Sequence, residues 1–143
     1  MFLEKIKSPA DLKKMPTNEL ETLASEMRKA LIEKNSVCGG HLASNLGVVE
    51  LTIALHYVFD SPRDKLIFDV SHQTYSHKML TGRNAAFLDP EQYASVSGYT
   101  CPDESEHDQF SIGHTSTSIS LVCGYAKARD VLGNTENVVA VIG

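Results

Sequence analysis

Two short apolar runs constrain the fold of this chain more than any other feature of its sequence. One covers residues 65–70, with Leu66, Ile67 and Phe68 at its centre, and the other covers residues 137–143. Continuous apolar runs of this length, bounded by turn signals, are typical of buried strands in parallel sheets. Helical patterns separate the two runs, so the sequence predicts an α/β layer fold.

Helical periodicity fills much of the remaining sequence. Apolar residues at spacings of three and four, from Leu20 to Leu31, predict a helix over about 17–34 that Gly39-Gly40 ends. A second helix, from 44 or 45 to 59, has apolar residues around most of its circumference, so we expect it to be largely buried. Further helices are predicted at Ser8-Pro9-Ala10-Asp11 with Ser8 as N-cap, near 75–80, and at 116–132, where Gly133-Asn134 closes the helix.

Composition narrows the class of protein. The 143 residues are 42% hydrophobic with a formal net charge of -5, which predicts one globular domain and argues against disorder and a nucleic-acid-binding face. No apolar run approaches the roughly 20 residues of a membrane span, and the first residues lack the apolar core of a signal peptide, so we predict a cytoplasmic protein without a membrane partner. The widely spaced Cys38, Cys101 and Cys123 indicate free thiols.

Three short polar clusters, at residues 39–45, 69–78 and 113–118, each contain histidine. The second begins where a predicted strand ends, which is where ligands bind in open α/β sheets. The third lies at a predicted helix N-terminus, where free amides and hydroxyls receive anions such as phosphate, and its glycine permits close approach of a ligand. The clusters therefore predict a phosphate-binding rim.

Each of these polar features also has a purely structural interpretation. Serines and threonines before a helix commonly serve as caps. His56, on the buried helix, and His107, in an acidic loop, are interpreted as structural histidines, and the spacing of His72 and His77 is poor for a metal site. The acidic residues of the segment 103–108 are interpreted as a solvated turn. They are Asp103, Glu104, Glu106 and Asp108.

The same clusters resemble the N-terminal signature of the 1-deoxy-D-xylulose-5-phosphate synthases. The matching segments follow the family's order and spacing across nearly the whole chain. They are residues 41–52, 55–59, 69–83, 104–108 and 113–120. The resemblance implies a three-layer α/β/α thiamine-diphosphate-binding fold, of which residues 1–143 would form the N-terminal part of the diphosphate-binding, transketolase-like domain.

The resemblance implies a transferase that uses thiamine diphosphate to condense pyruvate, after decarboxylation, with glyceraldehyde 3-phosphate, in isoprene, thiamine and pyridoxal synthesis. By matched position, His41 is the expected catalytic histidine, and His72, Gly113, His114 and Thr115 are expected to contact the cofactor diphosphate. An imidazole titrates near pH 6.5, which suits proton transfer and phosphate binding near neutrality. The family resemblance also implies a homodimer.

Departures from the family pattern at four places indicate a divergent branch. Ser71 stands where the family usually has Gly, and Ser76 where it usually has Pro. The segment Ser97-Gly98-Tyr99 replaces a Gly-Gly-Leu segment, and His107 replaces a Tyr.

The family's Mg²⁺ motif opens with Gly-Asp-Gly, and Gly143 matches its first glycine. The magnesium ligands are therefore expected beyond Gly143, with none in this chain. We expect the 143 residues alone, an incomplete domain and a piece of a longer enzyme, to be inactive and to bind thiamine diphosphate weakly or not at all. Two alternatives remain at this point: another transketolase-type ketol transferase, or a degenerate domain retained for association or regulation.

Overall fold

The computed structural model describes residues 1–142, and both predicted strands are present within them. Strand β1, Lys65–Phe68, and strand β2, Val138–Val141, pair in parallel, with Lys65 opposite Val138 and Phe68 opposite Val141. The α/β prediction is therefore confirmed. Gly143, which the sequence interpretation assigns to the Mg²⁺ motif, lies outside the described residues.

Helices account for most of the remaining regular structure. The helices are α1 Pro9–Leu12, α2 Leu20–Cys38, α3 Leu42–Leu46, α4 Val49–Val58, α5 Tyr75–Lys78, α6 Ala85–Leu88 and α7 Ser118–Leu132. Short 3-10 turns cover Leu3–Lys5, Thr17–Glu19 and Pro90–Gln92, and a wider turn covers Met79–Arg83. None of the helices described between residues 1 and 142 is both long and apolar enough to cross a membrane.

The long helix α2 confirms the periodicity prediction and forms the centre of the main core. Its face of Leu23, Met27 and Leu31 is fully buried, and the core also includes Ile53 of α4 and Phe87 of α6. Ser8 occupies the N-cap position of α1, as predicted. Its hydroxyl caps no helix amide and instead donates a hydrogen bond of 3.0 Å to the carboxylate of Asp11.

The predicted second helix differs from the structure in two ways. It is divided into α3 and α4, with a break at Gly47 and Val48. It is also not buried all round, because Leu51 is 48% and Val58 is 68% exposed. Only the face that carries Val49, Thr52, Ile53 and His56 is covered. Apolar residues around a helix show what the helix can bury, and the neighbouring elements decide which side is covered.

Candidate functional site

His41 and His72, which lie in different polar clusters, meet in the structure. Their ring centroids are 5.3 Å apart at an interplanar angle of 80°, and the Tyr99 ring lies 5.4 Å from His41. His41 precedes α3, and His72 follows the carboxyl end of β1. The structure therefore brings together two of the predicted site residues at the expected edge of the sheet. It adds Tyr99, which the sequence had marked only as a departure from the family pattern.

Neither imidazole makes a hydrogen bond to another side chain or backbone atom among residues 1–142. The Nδ1 atoms of His41 and His72 are both buried without a partner. A buried polar atom without a partner is costly unless another group satisfies it. Each of these two ring nitrogens therefore has hydrogen-bonding capacity that the described residues do not use.

The backbones of these two histidines are tied together by Asn45 of α3, which is fully buried. Its Nδ2 donates hydrogen bonds to the carbonyl oxygen of His41 at 2.6 Å and to that of His72 at 2.8 Å. Its Oδ1 accepts a hydrogen bond of 2.8 Å from the backbone N–H of Tyr75. Asn45 belongs to the first polar cluster, residues 39–45, and its sequence context alone does not indicate this role.

Gly40 allows the chain to pass close to Tyr75 immediately before His41. Its φ is +126°, and a Cβ atom built there would lie 2.6 Å from Oδ1 of Asn35 and 2.8 Å from the hydroxyl of Tyr75. Gly39 also has a positive φ, +70°, but a Cβ atom there would meet open space. A side chain at position 39 would therefore cause backbone strain alone, whereas a side chain at position 40 would cause both strain and a steric collision.

We expect Gly40→Ala to destabilise the protein more than Gly39→Ala. Both substitutions impose strain of about 1–2 kcal/mol at a positive φ, and only Gly40→Ala adds overpacking, which costs about 1–3 kcal/mol. Urea unfolding of the two variants measures the difference. Equal losses of unfolding free energy would contradict the collision that the geometry requires.

Asp69, at the carboxyl end of β1, occupies the N-terminus of α7. Its carboxylate accepts hydrogen bonds from the backbone N–H groups of Ser116 at 3.0 Å and Ser118 at 3.1 Å, and from the Ser118 hydroxyl at 2.8 Å. The Ser116 amide, followed by the other donors, lowers the pKa of Asp69 below its usual value. Asp69 therefore takes two of the amides at this helix N-terminus, those of Ser116 and Ser118, which are then not available to a phosphate.

Ser71, in the second polar cluster, hydrogen-bonds to Thr100 and to Ile112, the residue immediately before the third cluster. Its hydroxyl donates to the carbonyl oxygen of Ile112 at 2.7 Å and accepts from the backbone N–H of Thr100 at 3.1 Å. Ser71 is fully buried, and its φ of +67° is one that a glycine would adopt without strain. The serine therefore adds two links that a glycine cannot make.

We expect Ser71→Ala to lower the free energy of unfolding by about 1–3 kcal/mol, because the buried Thr100 N–H loses its acceptor. Ser71→Gly loses the same bonds but relieves strain of about 1–2 kcal/mol, so it should be the milder change. Thermal unfolding of both variants measures the order. An alanine variant as stable as the unsubstituted protein would contradict the role of the hydroxyl.

The predicted diphosphate contacts Gly113, His114 and Thr115 lie on an exposed loop before α7. Nδ1 of His114 lies 3.0 Å from the Thr115 carbonyl oxygen, and a Cβ atom at Gly113 would meet open space. The loop borders a cavity of about 240 Å³. Through Asp69 and Ser71 the loop is anchored to the segment that carries His72, so the second and third clusters share the edge beyond β1.

Asp103 and Glu106 of the acidic segment are exposed, as predicted, but Asp108 is not. Asp108 is buried, and its carboxylate accepts two hydrogen bonds from Arg83, at 2.7 and 2.9 Å. It also accepts from Nε2 of His77 at 2.9 Å and from the Cys101 backbone N–H at 2.8 Å. Burial opposes its ionisation, but the bonds from His77 and Arg83 outweigh burial and hold its pKa below the usual range.

Glu104 completes this buried ionic network. It pairs with Lys78, whose side chain is fully buried, and with Arg83 at 3.2 Å. Glu104 also accepts a hydrogen bond of 2.6 Å from the Ser97 backbone N–H. The interpretation of the acidic residues as solvent-facing is therefore wrong for Glu104 and Asp108, because cations from a preceding segment of the chain cover them. Asp103 is exposed, as expected.

His56 and His77 extend the network into the core. Nε2 of His56 lies 2.9 Å from Nδ1 of His77. Because Nε2 of His77 donates to Asp108, its Nδ1 acts as an acceptor and Nε2 of His56 carries the proton. Burial lowers the pKa of both histidines, against the opposing effect of Asp108 on His77. His56 is structural, as predicted, although its Nδ1 has no partner among the described residues.

The other residues considered from the sequence have simple environments. His107 bonds through Nδ1 to the Ser61 hydroxyl at 2.8 Å, and burial lowers its pKa to about 4, in agreement with a structural role. The three cysteines are free. Across the described residues 1–142, no three His, Cys, Asp or Glu side chains cluster as metal ligands would.

Known proteins resemble this chain along its whole length. A family model described as 1-deoxy-D-xylulose-5-phosphate synthase matches residues 3–143. The 1-deoxy-D-xylulose-5-phosphate synthase of Dictyoglomus turgidum is 57% identical over 143 residues, which cover 100% of this chain and 23% of the relative. The protein of the same name from Halalkalibacterium halodurans is also 57% identical, with the same coverage.

A third relative, 1-deoxy-D-xylulose-5-phosphate synthase 1 of Geobacter sulfurreducens, is 56% identical over 142 residues, or 99% of this chain and 22% of the relative. The chain therefore spans less than a quarter of the length of these relatives. The family model nevertheless covers all but the first two residues. The resemblance seen in the polar clusters is confirmed, and the chain belongs to the 1-deoxy-D-xylulose-5-phosphate synthase family.

Proposed function

We propose that the protein containing this chain transfers a two-carbon unit from pyruvate, with decarboxylation, to glyceraldehyde 3-phosphate, yielding 1-deoxy-D-xylulose 5-phosphate. The observation that carries the proposal is the pairing of His41 with His72 at the carboxyl edge of β1, with a buried, unpartnered Nδ1 on each ring. Family membership supplies the reaction, and this pair supplies a place for it in the chain.

The residues present fit thiamine diphosphate as the cofactor. The Nδ1 atoms of His41 and His72 lack partners within residues 1–142, and Gly113 leaves room for a ligand beside the backbone. Thiamine diphosphate, when bound, supplies the carbanion chemistry that carries the two-carbon unit. The proposal includes Mg²⁺ as the counter-charge of the diphosphate, with its ligands outside residues 1–142.

In this proposal the chain binds and orients the reactants. His41 exchanges a proton with the substrate through its imidazole, a group that serves as a general acid or base in many enzymes. His72, Gly113, His114 and Thr115 hold the diphosphate. The amides of Ser116 and Ser118 take no part, because Asp69 already accepts their hydrogen bonds. Tyr99 packs its ring against His41 and limits the space beside it.

The direct test is an assay of the full-length protein with thiamine diphosphate, Mg²⁺, pyruvate and glyceraldehyde 3-phosphate. We expect 1-deoxy-D-xylulose 5-phosphate and carbon dioxide in equal amounts. Turnover of a ketose donor in place of pyruvate would support the transketolase-type alternative. No turnover with either donor, together with no cofactor binding, would support a degenerate domain.

Three substitutions assign the roles within the site. His41→Ala should chiefly lower kcat, whereas His72→Ala and His114→Ala should weaken cofactor binding in a calorimetric titration. Wild-type kinetics in all three variants would contradict the residue assignments. The homodimer and the cytoplasmic location stay predictions, and light scattering of the full-length protein measures the first.

A further inference from the structure

Asn45 is a buried residue that hydrogen-bonds to the backbones of both candidate site histidines. One nitrogen, Nδ2, donates to the carbonyl oxygens of His41 and His72, and Oδ1 accepts from the Tyr75 N–H. Both N–H bonds of the amide and one acceptor position of its oxygen are therefore used. The three partners come from two polar clusters that are separated in sequence by α4 and β1.

The three backbone groups around Asn45 require a side chain that carries both hydrogen-bond donors and an acceptor, as a carboxamide does. Two carbonyl oxygens require two donors, and the Tyr75 amide requires an acceptor, so one side chain must supply both. An aspartate in place of Asn45 would turn a negative charge towards two carbonyl oxygens, and a serine would supply a single donor. An apolar side chain would leave the His72 carbonyl and the Tyr75 amide without a partner, and the His41 carbonyl with only a 3.4 Å bond from the Ser44 hydroxyl.

The positions of the His41 and His72 rings depend on the backbone bonds from Asn45, because the rings themselves have few other contacts that hold them. Neither imidazole is hydrogen-bonded to a described residue, so the positions of the rings follow from their backbones and from ring packing. We propose that Asn45 is a positioning residue, which sets the separation of His41 and His72 by holding their carbonyl groups on one nitrogen. The role of those two histidines in this inference rests on the proposed function.

The chain contains a matched control for Asn45. Asn84 is equally buried, and its Nδ2 also donates to two backbone carbonyl oxygens, those of Leu3 at 2.7 Å and Ile6 at 2.8 Å. Neither of those carbonyls belongs to a histidine of the candidate site. Asn84→Ala therefore removes the same kind of bridge, with a similar loss of stability, and leaves the histidine pair anchored.

The experiment compares Asn45→Ala with Asn84→Ala in the full-length protein. We expect Asn45→Ala to lower kcat by roughly ten- to a hundredfold, since displacements of about 1 Å have effects of that size. The apparent dissociation constant for thiamine diphosphate should rise, and the acidic limb of the pH–rate profile should shift. Asn84→Ala should leave kcat and the pH profile unchanged. Unchanged kcat and pH profile in Asn45→Ala would overturn the inference.

A measurement that does not depend on catalytic activity distinguishes failure of this inference from failure of the proposed function. Modification by diethyl pyrocarbonate, mapped by mass spectrometry, reports the accessibility of His41 and His72. We expect their modification rates to change in Asn45→Ala and to stay constant in Asn84→Ala. Changed rates in an enzyme that lacks synthase activity would reject the proposed function and retain the positioning role. Unchanged rates would reject the positioning role.

A milder substitution keeps the test decisive where alanine prevents folding. Asn45→Ser retains one donor and one acceptor, so the protein should fold with one of the three bonds restored. Its kcat and its histidine modification rates should lie between those of the wild-type protein and those expected for a complete loss of the bridge. Wild-type values for both measurements in a folded Asn45→Ser variant would overturn the inference.

Discussion

Replacing Asp108 by Asn is expected to cost about 3–5 kcal/mol of unfolding free energy, the range found when one partner of a buried ion pair is removed. The substitution preserves the shape of the side chain but removes the charge that faces Arg83 and Lys78. Lys78 is fully buried, and Arg83 is nearly so. Glu104 would then be the single carboxylate paired with two cations. Urea unfolding followed by circular dichroism measures the loss.

Asp103 provides the matched control because it belongs to the same acidic segment but is exposed. We expect Asp103→Asn to change stability by less than about 0.5 kcal/mol, as surface substitutions usually do. Glu104→Gln should fall between the two and is the variant to examine where Asp108→Asn yields no folded protein. Similar values for all three would restore the interpretation of this segment as a solvated turn.

Acidification below about pH 6.5 is expected to destabilise the protein through His56 and His77. Burial lowers the pKa of both in the folded state, so the unfolded chain binds more protons than the folded chain as pH falls below the unfolded pKa. Each histidine can reduce the unfolding free energy by up to about 1.4 kcal/mol per pH unit. Together with His107, whose pKa burial lowers to about 4, they predict a stability that falls as the pH drops from 6 to 5.

Two histidine variants identify the source of this slope. His56→Gln removes one titrating ring and keeps a donor for His77, so it should flatten the slope without abolishing it, since His77 and His107 still titrate. His114→Gln replaces an exposed histidine and should leave the slope as it was. Unfolding measurements at several pH values between 7 and 5 provide the comparison. A stability that is independent of pH over this interval would contradict the buried, neutral state of the pair.

The parts of the fold that could be predicted from the sequence are those with a local pattern of apolar residues. The strand around Phe68 and the helix through Leu23 and Met27 are marked by local apolar patterns, since burial of one element imposes a period on its own residues. The exposed side of α4 was not predictable in this way. Leu51 and Val58 are as apolar as Ile53, and their exposure depends on where other elements lie.

The candidate site divides in the same manner. The rule for parallel sheets correctly places His72 beyond β1, and the family resemblance draws attention to His41. The capping of α7 by Asp69 left no local signal, because carboxylate and amides are more than 40 residues apart. The pairing of Arg83 with Asp108 is likewise a contact between distant segments. Only the folded structure shows which acidic residue of a segment is buried, as Asp108 is, and which is exposed, as Asp103 is.

The register of the two strands has a consequence for biosynthesis. Lys65 pairs with Val138, so β1 leaves the ribosome long before its partner exists. At 5–20 residues per second, that delay lasts roughly 4–15 s. During this interval the hydrogen-bonding edge of β1 and the apolar side chains of Leu66 and Phe68 have no β2 to cover them. Until the last turn of α7 and β2 have emerged, β1 of the nascent chain is therefore an unpaired strand that can bind chaperones or other nascent chains.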